Sequence, residues 1–307
     1  TFEGYNKVHA VNAPLFSCVE KNAQVYFQSL FIPRRETRWE GDIRKFVFGD
    51  DGVFRRIWSA REKMADRQAN RRILTARVFD EDAECDMSNL PLVPPNLAEF
   101  ACDGNEVLWR RIGFSDVSAG ETFLRWYCEP PLFDTVRGGV VLAGQPRKEP
   151  ESDDAHAAFA LKDKTVSRRT VLYVQSNGGA LHALEENTGV ELWAFVPPNV
   201  LEGRLRGLKL WNVRHGSSYS FDEFDEIAPE SSESSPRFLL DGPLVAEDVL
   251  VRGEYVTFLL GFLGRGGEGM YAMDVTAPYA PRFLWALENA HYRGEEGTTY
   301  FWRSVDE

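Results

Sequence analysis

Residues 171–198 and 257–287 run through the same order of strand, turn, strand, turn, strand, and this repetition restricts the fold more than any other feature of the chain. In the first copy an apolar, β-branched run over 171–174 meets the turn signal Ser176-Asn177-Gly178-Gly179. A second strand over 180–184, the turn Asn187-Thr188-Gly189 and a third strand over 191–196 follow. The second copy places its strands at 257–264, 269–275 and 282–287. Ala183 matches Ala272, Glu185 matches Asp274 and Trp193 matches Trp285, at offsets of 89, 89 and 92 residues.

Each matched position has a physical use. A small alanine inside a strand lets a neighbouring sheet approach. An acidic residue followed by Thr188 or Thr276 suits a turn closed by side-chain-to-backbone bonds. Trp193 and Trp285 supply large apolar plates between adjacent sheets. A sheet that cannot bury its two faces alone, repeated along a chain, predicts an all-β protein of β-propeller type. The offset is about twice the usual blade length of roughly 40–45 residues. The excess falls on segment 212–236, and residues 238–251 supply the remaining outer strand.

Residues 1–143 read as a β-rich region leading into the propeller. They contain a strand over 24–32 and a hairpin over 43–58 turning at Gly49-Asp50-Asp51-Gly52. Residues 59–77 lose Gly and Pro and place Met64, Ala65, Ala69, Ile73 and Ala76 on one stripe, which predicts a helical insertion. Stretches 107–112 and 122–127 fit either strands or short helices. Residues 144–170 read as a polar linker with His156 in an exposed loop, and 171–307 hold the blades. Two blades are clear, and region 1–143 has material for two to four more, so closure of the ring within this chain is not guaranteed.

The formal net charge is -12 with a pI near 5.1, which disfavours a general nucleic-acid or anionic-membrane binder. No apolar run is long enough to span a bilayer. The first residues lack a signal peptide's basic start and apolar segment, and we read the chain as a mature or excised piece. Cys18, Cys85, Cys102 and Cys128 contain no C-x-x-C pair, which argues against a zinc site. They suit two disulfides, with Cys85–Cys102 the pairing favoured; four buried thiols are the alternative. The acidic, Ser-rich tract 212–236 offers Asp222, Asp225 and Glu226 as candidate cation ligands. It lacks the turn-forming Gly of a calcium loop and reads as a solvated surface loop.

The residues Ala183, Glu185, Thr188, Gly189, Leu192 and Trp193 fill the pattern A-x-D-x-x-T-G-x-x-L-W, with Glu where Asp is usual. That pattern resembles the tryptophan-docking repeat of quinoprotein-type propellers. Three further stretches, FLLDGPLVAE at 238–247, FLGRGGEGMYAMDV at 262–275 with Thr276 following, and 26–45 around Arg38-Trp39, are similar to the type IV pilus tip-associated adhesin and biogenesis (PilY/PilC) family. The resemblance implies a secreted, non-enzymatic propeller at the pilus tip or outer cell surface. It also implies minor pilins as partners and a part in pilus assembly and in attachment to host or abiotic surfaces. The family's D-x-D-x-D-G calcium loop does not occur in this sequence, so no cofactor is expected, and calcium control is in doubt.

The rival expectations are a quinoprotein-like periplasmic oxidoreductase or a propeller scaffold of another surface assembly. A quinone enzyme needs a cofactor stacked on Trp beside an acidic base, and no such set assembles in the sequence. His9, His156, His182, His215 and His291 show no metal spacing, and His182, inside a blade strand, reads as a structural hydrogen-bonding residue.

Overall fold

The computed structural model describes residues 24–32, 40–66, 71–76, 97–99, 106–128, 133–135, 139–146, 154–162, 167–201, 205, 238–251, 253–294 and 297–304. Three sheets carry the fold. Sheet I holds β1 (Gln24–Ile32), β2 (Glu40–Phe48) and β3 (Phe54–Ser59). Sheet II has the antiparallel meander β6 (Val140–Ala143), β7 (Val171–Gln175), β8 (Leu181–Glu185) and β9 (Glu191–Val196). Its outer edge is extended by β4 (Ile73–Ala76), parallel to β9, and by β5 (Leu97–Glu99). Sheet III is β10 (Leu244–Val251), β11 (Glu254–Phe262), β12 (Gly269–Asp274), β13 (Arg282–Gly294) and β14 (Gly297–Ser304), antiparallel throughout.

The helix expected over 59–77 is confined to α1 (Ala60–Ala65). Ser59 caps it by accepting the Glu62 amide, and Ala60 and Met64 are its buried face. Its expected second half is instead a strand: Ile73, Leu74 and Thr75 pair with Ala194, Phe195 and Val196. The free edge of β9 outweighs local helix propensity there, and β-branched Ile73 and Thr75 suit it. The undecided stretches are helical, as α2 (Glu106–Ile112) and α3 (Val117–Cys128), so the helical content exceeds the single insertion read from the sequence. Trp109, Ile112, Phe123, Leu124 and Tyr127 bury these helices against the main core, and Tyr127 donates its hydroxyl to the Gly178 carbonyl at 2.9 Å. The expected linker also holds a helix, α4 (Asp154–Ala160). His156 lies on it, 3.0 Å from Asp248 and edge-on to Tyr255, rather than in an exposed loop. Cys128 is disulfide-bonded; Cys18, Cys85 and Cys102, and hence the favoured Cys85–Cys102 pairing, lie outside the described residues.

The sheets stack in chain order. One face of sheet II (Leu172, Val174, Leu184) packs on Ile43 and Trp58 of sheet I. Its other face (Tyr173, Leu181, Trp193, Phe195) packs on Leu259, Tyr271, Met273 and Phe283 of sheet III. Sheet II is therefore buried on both sides, which explains why all of β7 and β8 are buried. The three sheets do not close a ring among the described residues.

Candidate functional site

The two seams between sheets are built from one repeated device. In sheet II, Ala183 lies opposite Trp193 and the register then slips, so that Leu184 faces Glu191 and Leu192 is the extra residue. In sheet III, Ala272 lies opposite Trp285, Met273 faces Phe283, and Leu284 is extra. Sheet I repeats the slip: Lys45 lies opposite Trp58, Phe46 faces Arg56, and Ile57 is extra. A bulge re-aims the chain locally, and in sheets I and II it presents a tryptophan to the next sheet.

That tryptophan is hydrogen-bonded as well as packed. Trp58 donates its indole N–H to the Glu186 carbonyl at 2.9 Å, in the β8–β9 turn of sheet II. Trp193, fully buried, donates to the Pro278 carbonyl at 2.7 Å, in the β12–β13 turn of sheet III. Gly189 serves the same seam from the acceptor side. Its φ is 70°, and a Cβ there would sit 2.5 Å from the Trp58 ring. The glycine of the repeat thus makes room for the preceding sheet's tryptophan.

The other repeat residues shape those turns. Thr188 donates to Glu185 at 2.6 Å, and Glu185 also meets Arg169 and the Tyr279 hydroxyl of sheet III. The Thr188 hydrogen bond leads the interactions that hold the Glu185 carboxyl below its ordinary range, against its partial burial. In sheet III, Asp274 accepts from the Thr276 amide at 2.9 Å and from Arg282 Nε at 3.0 Å. Thr276 accepts the Thr257 amide at 2.8 Å. Lys45, which stands where the other sheets have alanine, reaches Glu186 Oε1 at 2.6 Å, and both side chains are under a tenth exposed. Trp285 is only half-buried and meets Phe258 of its own sheet at 6.1 Å, so the expected plate between two sheets is not formed among the described residues.

One cluster in sheet II has the outline of a catalytic triad. His182 Nε2 is 3.0 Å from Ser176 Oγ, and its Nδ1 is 2.8 Å from Glu191 Oε1. Arg71 grips Glu191 through Nε at 2.8 Å and Nη2 at 3.1 Å. Burial pushes the His182 imidazole below its ordinary value, so it stays neutral with Nδ1–H donating to Glu191. Burial works against the Glu191 charge, but the Arg71 guanidinium and the His182 hydrogen bond outweigh it and hold the carboxyl at about 2. Ser176 is 0% exposed and His182 1% exposed, inside the meander. The cluster satisfies its own donors and acceptors, and ties the β7–β8 turn to the start of β9 and to the segment before β4. We read it as a buried clamp.

The metal candidates Asp222, Asp225 and Glu226 lie outside the described residues. Among the described residues no group of three or more His, Cys, Asp or Glu side chains could hold a metal ion. No described helix is long and apolar enough to cross a membrane. Missing from the sequence reading were Trp58 as a third docking tryptophan and Arg71 as the partner of Glu191. The pair Ile57-Trp58 parallels Leu192-Trp193 and Leu284-Trp285 and was the available signal for the first; the second had none.

A family model described as the PilY1 beta-propeller domain matches residues 138–299. A type IV pilus biogenesis factor PilY1 homolog of Xylella fastidiosa is 34% identical over 141 residues, covering 46% of this chain and 10% of that protein. The type IV pilus biogenesis factor PilY1 of Pseudomonas aeruginosa is 30% identical over 131 residues, covering 42% of this chain and 10% of its own length. The aligned part thus spans about a tenth of the curated relatives it matches. The crystal structure of the Pseudomonas aeruginosa PilY1 C-terminal domain aligns with a TM-score of 0.32 and 22% identity, over 53% of this chain and 30% of that one.

Proposed function

The chain belongs to the PilY1 beta-propeller domain family, and from that premise we propose that it is a non-enzymatic part of a type IV pilus biogenesis factor. Its propeller serves as a docking platform for minor pilins at the pilus tip and contributes to attachment to host or abiotic surfaces. The observation that carries the reading is the match over residues 138–299, the region that holds most of the two Trp-bearing meanders of sheets II and III. The proposed setting is extracellular, at the pilus tip or outer cell surface, with no nucleic-acid ligand.

The local chemistry supports a platform over an enzyme. The one Ser–His–Glu arrangement among the described residues is buried and internally paired. The repeat residues are occupied with holding sheets together, which supports reading this propeller as one of the tryptophan-docking, quinoprotein-like type. In this reading residues 1–143 contribute sheet I together with β4, β5 and β6 of sheet II, and 171–307 supply the other strands of the two repeated blades.

The test is made in the native cell. Removing residues 138–299 from the encoded protein is expected to reduce surface pili, counted by electron microscopy after shearing, and to abolish surface motility. Gold-labelled antibody against the chain should decorate pilus ends or the cell surface. Normal piliation in the deletion, or label confined to the periplasm or cytoplasm, would overturn the proposal. Quinone-dependent dye reduction by the purified protein would favour the oxidoreductase reading instead.

A further inference from the structure

The strand ends on the two sides of the stack are unlike. The antiparallel meanders put the β6–β7 and β10–β11 connections at the same end as the β8–β9 and β12–β13 turns. The contacts of Trp58 with Glu186 and of Trp193 with Pro278 bring the β2–β3 turn to that end as well. The β7–β8 and β11–β12 turns lie at the opposite end.

That opposite end is capped by the chain itself. Tyr127 of α3 donates to the Gly178 carbonyl, and a Cβ on Gly178 would sit 2.1 Å from the Phe133 ring. Val200, Leu205 and Leu239 close over Gly179 in the same turn, each 3% exposed or less. Leu239 also lies against Gly266, beside the β11–β12 turn.

The first end is open among the described residues, and every sheet brings an apolar side chain to it. Val53 and Phe54 stand 47% and 56% exposed beside the β2–β3 turn, and Leu161, just after α4, is 74% exposed. Leu250 is 51% exposed beside the β10–β11 turn, and Tyr279 is 50% exposed in the β12–β13 turn. Gly52 and Gly253, in two of these turns, would have nothing within 4 Å of an added Cβ. Packing one sheet on another buries faces and leaves strand ends open, so a further sheet would not cover these groups.

The cations among them are already paired: Arg55 with Asp51, Lys162 with Glu254 and Arg169 with Glu185. A surface neutralised in this way draws neither a polyanion nor an anionic membrane, and what it leaves unsatisfied is apolar area. Sheets about 10 Å apart make the open end about 20 Å wide from sheet I to sheet III. That width suits the roughly 800 Å² that one partner contributes to a stable protein interface.

We propose that the open end, bearing Val53, Phe54, Leu161, Leu250 and Tyr279, is the face that docks a second protein through an apolar, weakly charged patch, and that the capped end is not. The inference rests on the pilus reading for the partner's identity, a minor pilin, and deepens that reading by assigning the face it uses.

The experiment uses the full-length protein in the native cell. Photoreactive benzoylphenylalanine replaces Leu161 or, as a control on the capping helix α3, Val117, which is 52% exposed. After irradiation the cross-links are mapped by mass spectrometry. The expected result is a minor pilin joined at Leu161 and none at Val117. A carboxylate in an apolar contact must be desolvated, so Leu161→Glu with Leu250→Glu should reduce surface pili roughly tenfold. Val117→Glu should leave piliation unchanged, and thermal unfolding checks that each variant folds. A pilin joined at Val117 and not at Leu161, or normal piliation in the folded double variant, would overturn the choice of face and leave the pilus reading standing. A cross-link at Leu161 only to a second copy or to a protein that is not a pilin, or no cross-link at either position, would also overturn the proposal. Normal piliation after deletion of residues 138–299 is the separate outcome that would overturn the pilus reading itself.

Discussion

The indole N–H of Trp193 meets the carbonyl oxygen of Pro278 at 2.7 Å, joining the last meander strand of one sheet to a turn of the next. Trp193→Phe keeps most of the plate and leaves that carbonyl unpaired, which is expected to cost about 1–3 kcal/mol. Trp193→Ala also empties the seam and is expected to cost about 3–5 kcal/mol. Urea unfolding followed by circular dichroism measures both. Equal losses for the two variants would show that the hydrogen bond matters and the plate does not.

Trp58 and Trp193 occupy opposite faces of sheet II. Trp58→Phe and Trp193→Phe should therefore add to within about 0.5 kcal/mol in the double variant. A larger coupling in the same unfolding measurements would mean that the seams loosen together.

Gly189 and Gly253 both have positive φ, 70° and 83°, but only Gly189 has a neighbour in the way. Gly253→Ala is expected to cost about 1 kcal/mol through backbone strain alone. Gly189→Ala must also displace the Trp58 ring and should cost clearly more, with a red shift of tryptophan emission as the ring loses cover. Equal costs at the two positions would remove the steric role assigned to Gly189.

Lys45 and Glu186 form a buried pair at 2.6 Å. Lys45→Met strands the Glu186 carboxylate, and the expected loss is on the order of 3–5 kcal/mol. Lys45→Met with Glu186→Leu should recover most of that loss, because an apolar pair in a seam needs no desolvated charge. No recovery in the double variant would mean that the ion pair itself, rather than the avoidance of an unpaired charge, holds the turn.

Acid should weaken the clamp in two stages. Folding lowers His182 below its ordinary value of 6.5, so the unfolded chain binds the proton first and stability falls as pH drops below about 6.5. Folding also lowers Glu191 from 4.5 to about 2, so its contribution, fully present above 4.5, is lost between those values as pH falls. Thermal unfolding across pH 7 to 2 reads both stages. His182→Gln should remove the upper stage and leave the lower, and Arg71→Met, which lets burial raise the folded Glu191 value back towards 4.5, should shrink or abolish the lower stage. An upper stage that persists in His182→Gln would assign it to another group.

Much of the architecture was legible because its signals are local. The strands 24–32 and 171–198, the hairpin at 43–58 and the matched pairs Ala183/Ala272 and Trp193/Trp285 follow from alternation, turn residues and repetition. Residues 73–76 were misread, since their helical stripe says nothing about a vacant edge on β9 more than a hundred residues away. Arg71 was missed for a similar reason: neither arginine of the pair Arg71-Arg72 carries a mark that one will meet Glu191 at 2.8 Å. Glu185, Thr188 and Gly189 were legible as a turn, but Gly189's duty to Trp58 belongs to a contact between sheets.

The amino-acid order by itself determined that this chain makes repeated antiparallel meanders with one tryptophan each, because strand period, turn chemistry and bulky aromatic residues act over a few neighbours. Only the tertiary structure decided which carbonyl each tryptophan meets, that sheet I joins the same series, and that His182, Glu191 and Arg71 close into a sealed cluster. Those outcomes depend on burial and on hydrogen bonds between segments distant in sequence, whose partners are selected when the faces of whole sheets come together.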